Sequence, residues 1–211
     1  MLRSRLLRAF LVAAPGLMLA GFGVVHPSDL NVDTAGWWAT LHIILLPAFA
    51  LLAAAQWHLL TPAAPVVRWL GRLAAFGFAA FYTGLDAVAG IGAGTVVDAQ
   101  HGYSRAVGRL FAVGDGLGYV GSWSFLAASL LVVAAVAPHG GWRVVPGAVL
   151  LVAASVSFLD SHLFWPRGVY TMIGIAAGMF LLSYVSAPQR ESGGVSLRGH
   201  AADDGPGVRI A

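Results

Sequence analysis

Six stretches of this chain, about 7–25, 37–60, 69–94, 111–137, 144–163 and 169–186, are each apolar over roughly the 20 residues that a helix needs to cross the hydrocarbon of a bilayer. A chain with six such stretches has little choice of architecture. It reads as all-α, a polytopic membrane helix bundle of about six transmembrane helices. Composition excludes a soluble alternative. Residues of the hydrophobic class make up 58%, charged residues 10%, and the mean hydropathy is +0.79. A soluble domain carries roughly a quarter charged residues, so too few polar side chains remain here to cover a water-exposed surface.

The breaks between the stretches carry turn or charge signals: His26-Pro27-Ser28-Asp29, Thr61-Pro62-Ala63-Ala64-Pro65, Asp98 to Arg109, Pro138-His139-Gly140-Gly141 and Trp165-Pro166-Arg167-Gly168. Residues 1–186 form the expected transmembrane domain. Residues 187–211, rich in Pro, Gly, Ser, Asp and Arg, lack periodicity and read as a disordered cytoplasmic tail. The start, with Arg3, Arg5 and Arg8 before an apolar run, has the look of a signal peptide. Pro15-Gly16 interrupts that run and no clear small-x-small cleavage site follows, so a retained first helix is expected.

Arginine placement orients the bundle. With the N-terminus inside, Arg3, Arg5, Arg8, Arg68, Arg72, Arg143, Arg190, Arg198 and Arg209 fall on the inner side, and only Arg105, Arg109 and Arg167 outside. The inner excess of basic residues places both termini in the cytoplasm of a multi-pass protein of the cell membrane. Trp37, Trp38, Trp57, Trp69, Trp142 and Trp165 all lie near segment ends, where interfacial anchors belong. The net charge of +3 is carried by these boundary arginines, so nucleic acid is not an expected partner. The chain has no Cys, which excludes disulfides, thiolate catalysis, Fe–S clusters and cysteine-based zinc sites. Literal GxxxG spacings at Gly90/Gly94, Gly114/Gly118 and Gly174/Gly178 predict close packing between helices of the same chain.

The residues that can carry chemistry gather on one side. A carboxylate in hydrocarbon costs about 2.5 kcal/mol or more at a helix centre, so it should face the bundle interior and find a partner. Asp86 sits roughly 12 Å below the outer end of the third stretch at 1.5 Å per residue. Tyr82, Asp86 and Gly90 share its face. The fifth stretch, read as a helix through 163, brings Ser157, Asp160 and Ser161 together with His162 adjacent. The second places Trp38 and His42 one turn apart. The fourth carries Asp115, Tyr119, Ser122 and Ser129 as a polar stripe, Arg167 begins the sixth, and His26 and His101 lie in outer loops. A polar Asp/His/Ser pocket in the outer half of the bilayer is the expected result.

Such a pocket supports several readings. In the first it is structural, with Asp86 paired to His42, Arg167 or a Tyr hydroxyl to orient the helices. In the second it is an intramembrane active site for a lipid or isoprenoid-like substrate. Asp86 would then be the acid, Asp160 its carboxylate partner, and His42 and His162 the bases or metal ligands. Tyr82, Tyr119, Ser157, Trp38 and Arg167 would bind substrate. In the third, His42 and His162 clamp a single b-type haem. In the fourth, Asp86 is part of a proton relay. No metal identity follows, since no HxxxH or HExxH spacing occurs, and the sequence requires no cofactor. The expected partners are the bilayer itself and a lipid or other hydrophobic small molecule. A Gly-x-Ser intramembrane protease pattern is not matched, and Gly90-Ile91-Gly92-Ala93-Gly94 follows a membrane helix rather than the strand that a dinucleotide loop needs.

Overall fold

The computed structural model describes residues 2–186, so the tail expected at 187–211 lies outside the described residues. The described residues are all-helical, with no strand among them. Five helical runs are long and apolar enough to cross a membrane: Leu2–Val24, Ala35–Leu59, Pro65–Gln100, Arg105–Ser157 and Arg167–Val185. The first two are α1 and α2. The third consists of α3 (Pro65–Leu85), a π turn (Asp86–Gly92) and α4 (Ala93–Gln100). The fourth joins two stretches that composition separates. It comprises α5 (Arg105–Gly140), a 3-10 turn (Gly141–Val144) and α6 (Val145–Ser157), and α7 is Arg167–Val185. The chain reverses inside this fourth run. Gly141 has φ +55°, a conformation open to glycine without strain. Beyond it, Ser155 Oγ donates to Ser129 Oγ at 3.0 Å, so α6 runs back along α5.

The rods close a ring, in which α1 packs on α2, α2 on α3, α3 on α5, α5 on α6, α6 on α7, and α7 on α1. Small residues make the ring tight. All six glycines of the GxxxG pairs meet another helix of the same chain. A Cβ added at Gly178 would lie 2.6 Å from the backbone nitrogen of Leu151, and one at Gly114 would lie 2.5 Å from the Cβ of Ala89. Dispersion between closely spaced backbones is what holds such helices together where lipid tails compete for every apolar contact. The core has an aromatic spine, with Phe78–Phe125 centroids 4.8 Å apart, Phe49–Tyr82 4.7 Å and Tyr82–Phe158 4.9 Å. The outer surface is apolar instead of charged, for example at Leu73 (67% exposed) and Phe76 (60%). In water such a belt would drive aggregation; in lipid it is the matching surface.

Two lengths position the site. Pro65–Gln100 and Arg105–Gly140 each contain 36 residues, roughly 54 Å of helix. At one end they stop level with α2 and α7. At the other, α4 and the first turns of α5 reach past the start of α2. There Ala35, Ala93, Val97 and Val107, with Leu30, form a small second core over the α1–α2 loop. The helix expected through 163 ends at Ser157, and residues 158–166 form a loop. Thr171 holds that loop down, accepting from Ser161 Oγ at 3.2 Å and sharing a 2.8 Å hydrogen bond with Ser157 Oγ. With the helix broken, Asp160 and His162 no longer follow helical spacing and point to different places.

Candidate functional site: a three-histidine cluster

The first turns of α2 present Trp38 and His42 on one buried face. His42 Nδ1 lies 2.7 Å from Trp38 O, one turn back. A carbonyl oxygen only accepts, so Nδ1 carries the hydrogen, and Nε2 is left with its lone pair. His26, in the α1–α2 loop, repeats the pattern, with Nδ1 2.7 Å from Pro27 O and a buried Nε2 that has no protein partner. His162 comes from the 158–166 loop with φ +25°, a strained value for a side chain with a Cβ. Its Nδ1 is 2.8 Å from the Tyr82 hydroxyl on α3. Each Nδ1 is therefore engaged, and the three Nε2 atoms are the ones left over.

The three rings meet. Their centroids are 5.0 Å apart for His26–His42, 5.7 Å for His26–His162 and 6.3 Å for His42–His162. One ring nitrogen from each lies within 4.8 Å of the others. Burial lowers the pKa of His26 despite its backbone hydrogen bond. It lowers that of His162 further, with His26 and His42 as positive neighbours adding to the effect. Three neutral imidazoles side by side are the protonation state that a cation needs. Trp38 and Phe164 stand edge-on to His26 at 5.0 and 4.7 Å and shield the cluster.

The π turn explains how α2 comes so close. A π turn takes one extra residue into the helical register and is found at functional sites. Here it sets Gly90 directly under the His42 ring, where an added Cβ would overlap the imidazole carbons. A Cβ at Gly94 would lie 3.0 Å from the backbone nitrogen of Ala39. The Gly90/Gly94 pair is thus the seat of the Trp38–His42 face, and Trp38 Nε1 donates to Ala89 O at 3.2 Å across the same contact. Trp38 is consequently buried (4% exposed) and is not the interfacial anchor that its place near the start of α2 suggests, whereas Trp37 beside it is 44% exposed.

A cavity of about 300 Å³ opens beside the cluster. Of the expected site residues, Trp38, His42, Tyr82, Tyr119, Asp160 and His162 border it. Tyr119 is at its exposed mouth, with Asp115 and Ser122 on the same stripe of α5. Ser157 and Arg167 lie elsewhere, on a shallow groove with Tyr170 and Thr171. Asp86 is fully buried one turn from both Tyr82 and Gly90, yet neither of its carboxylate oxygens has a hydrogen-bond partner among the described residues. Asp160 is not its partner: it forms an exposed ion pair with Arg167, because the end of α6 at Ser157 turns it towards the surface. The polar network expected around Asp86 is found deeper in the bundle instead. Gln56 Nε2 donates to Ser129 Oγ at 3.0 Å and Ser155 joins from α6. A b-type haem between His42 and His162 does not fit, since the His26 ring stands against both at 5.0 and 5.7 Å, in the space a porphyrin would fill.

His26 is the residue that sequence reasoning did not select. A single loop histidine has no periodicity or motif to mark it; its only sign is proximity in the chain to the C-terminal end of α1. Comparison of the chain with protein-family models, with curated protein sequences and with solved structures gives no match.

Proposed function

We propose that this is a cell-membrane protein of six crossings, with both termini cytoplasmic, that holds one divalent transition-metal ion, zinc by its donor set, on His26, His42 and His162. Its activity is hydrolysis of a lipid-like molecule in the outer half of the bilayer. The convergence of three imidazoles whose Nδ1 atoms are all engaged carries the reading. Metal-binding histidines are held in this manner, by a carbonyl or hydroxyl on the far nitrogen that fixes tautomer and ring orientation. The nitrogen separations, up to 4.8 Å, are wider than the roughly 3.4 Å around a tetrahedral zinc, so the three rings would draw together on an ion.

Three protein ligands leave a fourth position open, the pattern of catalytic and not structural zinc. His26, His42 and His162 would hold the ion, which would supply a water of lowered pKa and a Lewis acid for a carbonyl or phosphoryl oxygen. The remaining roles fall to this chain. Leu85, Phe111, Phe158 and Phe164 give the cavity apolar walls suited to a lipid-like substrate. Asp115 borders the same cavity and has no salt-bridge partner among the described residues, so it is the carboxylate available to move a proton. Asp86 does not border the cavity and makes no hydrogen bond to Tyr82, so it has no part in this reading. The membrane placement rests on the apolar helices and the arginine asymmetry. Arg5, Arg8 and Ser186 border one cavity, so the first helix starts and the last helix ends on the same side, as an even number of crossings requires.

The test is metal analysis of the full chain purified in detergent, stripped with chelator and reloaded with zinc. About one zinc per chain is expected, with loss of metal in H26A, H42A and H162A. Zinc no higher than in the triple variant would overturn the reading. Hydrolytic activity lost in H42A and restored by no metal would then tie the centre to catalysis.

A further inference from the structure

The cavity beside the three histidines has a depth and a direction, and α2 and α5 fix both. Trp37 (44% exposed) and Trp57 (42%) stand roughly 30 Å apart along α2, the thickness of a bilayer's hydrocarbon. Exposed tryptophans mark the two membrane surfaces, so α2 serves as a ruler. His42 lies roughly 7 Å below the Trp37 level. That is the upper edge of the hydrocarbon, where acyl carbonyls of lipids reach and phosphates stay outside. Gly90 packs under His42, and Gly114 of α5 packs on Ala89 beside it, which carries the same level across to α5. Tyr119 is roughly another 7 Å inward, about halfway through the bilayer. Tyr119 on α5 and Leu159 on the 158–166 loop both border the cavity, and Tyr119 is 63% exposed. The mouth is therefore on the flank of the bundle, facing lipid, and not at its outer end. Tyr119 and Trp123 meet there edge-to-face at 6.2 Å, too deep to be surface anchors. The same two rings line a shallow apolar groove with Val120 and Ala127. Ser124 in that groove turns its hydroxyl back onto Val120 O at 2.8 Å, so the path from the cavity onto the flank of α5 is apolar.

We infer that the cavity takes one acyl chain of an outer-leaflet lipid, with the carbonyl at the three histidines and the methyl end passing Tyr119 into the α5 groove. The inference rests on the hydrolytic reading above and narrows it: the bond cleaved is an acyl ester or amide and not a phosphoester. Water adds across that bond, its hydroxyl to the carbonyl carbon and its proton to the leaving oxygen or nitrogen. A fatty acid and an alcohol or amine result. At about 300 Å³ the cavity is at the small end of ligand pockets, with room for one chain and not for two. Leu85 and Phe158 wall that chain, and the Tyr119–Trp123 pair sets its preferred length, since a chain too short to reach the mouth loses both rings.

The experiment uses the full chain in neutral detergent with two photoreactive fatty acids of equal length. One carries a diazirine beside the carboxyl group, the other at the terminal carbon, and labelled peptides are mapped by mass spectrometry. The carboxyl-end probe is expected on the 158–166 loop and the start of α2, the terminal probe on α5 at Tyr119 and Trp123. Reversed patterns, one pattern for both probes, or labelling spread evenly over α1 and α7 would overturn the inference. Leu159→Trp narrows the mouth from the loop side and should lower terminal-probe labelling of α5 about tenfold; unchanged labelling would count against the site. If that variant loses its helical circular dichroism, the two wild-type patterns decide alone. Zinc-loaded protein is then given a monoacylglycerol and an alkyl phosphate of matching chain. Released fatty acid supports the acyl assignment, and cleavage of the phosphate ester alone overturns it. The expected labelling with neither compound hydrolysed would support the chain site and remove the hydrolytic reading instead.

Discussion

The two ends of the bundle each hold a polar hollow, and they are built on opposite principles. At one end, His26, His42 and His162 are packed among aromatic rings with every Nδ1 engaged. At the other, Arg5, Arg8 and Arg143 border a wider space with histidines at its edge. The first site gathers neutral donors, whose lone pairs can face one another at close range because none is charged. The second gathers permanent cations, which tolerate proximity only with water, helix C-termini or an anion between them. A neutral cluster suits a cation. Protonation state, more than the count of polar residues, separates the two ends.

The largest expected effect breaks this contrast at the histidine end. H42A/H162A should reduce bound zinc from about one per chain to background by metal analysis, while R143Q leaves it unchanged. Loss of zinc in R143Q would show that the two ends are not separate sites. Next comes the seat of His42. Gly90→Ala puts a Cβ into the imidazole, so it should destabilise the protein by about 1–3 kcal/mol, as overpacking does, and weaken zinc binding as well. Gly116→Ala, with open space around it, is the matched control and should change neither melting temperature nor metal content.

Smaller effects sharpen the comparison. Tyr82→Phe removes the hydroxyl on His162 Nδ1 and should weaken zinc binding about 10–100-fold by competition with a chromogenic chelator, as loss of an orienting partner does. Ser129→Ala cuts the link between Gln56 and Ser155. It should cost about 1 kcal/mol of stability in a denaturation series and leave zinc affinity alone, since this network belongs to neither end. Asp160→Asn ends the exposed pair with Arg167 and should move stability by less than about 1 kcal/mol. A large loss of stability there would mean that the pair fixes the 158–166 loop, and with it His162.

Much of the helical architecture was legible in the residues themselves. Apolar length and GxxxG spacings are local properties, because each depends only on the residues of one segment. They identified the apolar helices and the positions where backbones touch. Gathering of Trp38, His42, Tyr82 and His162 at one end also followed, since alternating helices bring every second loop to the same side. Two boundaries did not follow. Composition runs apolar through 163, yet hydroxyl contacts with Thr171 close the chain into a loop after Ser157. The 141–144 turn, by contrast, stays helical where Gly and Pro predict an open break.

What the sequence by itself determined is therefore the apolar helices and the small-residue contacts, because these depend on composition and spacing within one segment. Only the tertiary structure decided that His26 joins His42 and His162, that Asp160 leaves Asp86 for Arg167, and that Asp86 stays without a partner. Those outcomes turn on a π turn that shifts α3–α4 in register, on one strained φ at His162, and on loops from distant segments. No single segment encodes where another segment's side chain will point, and a shift of one residue in register is enough to move a ligand out of reach.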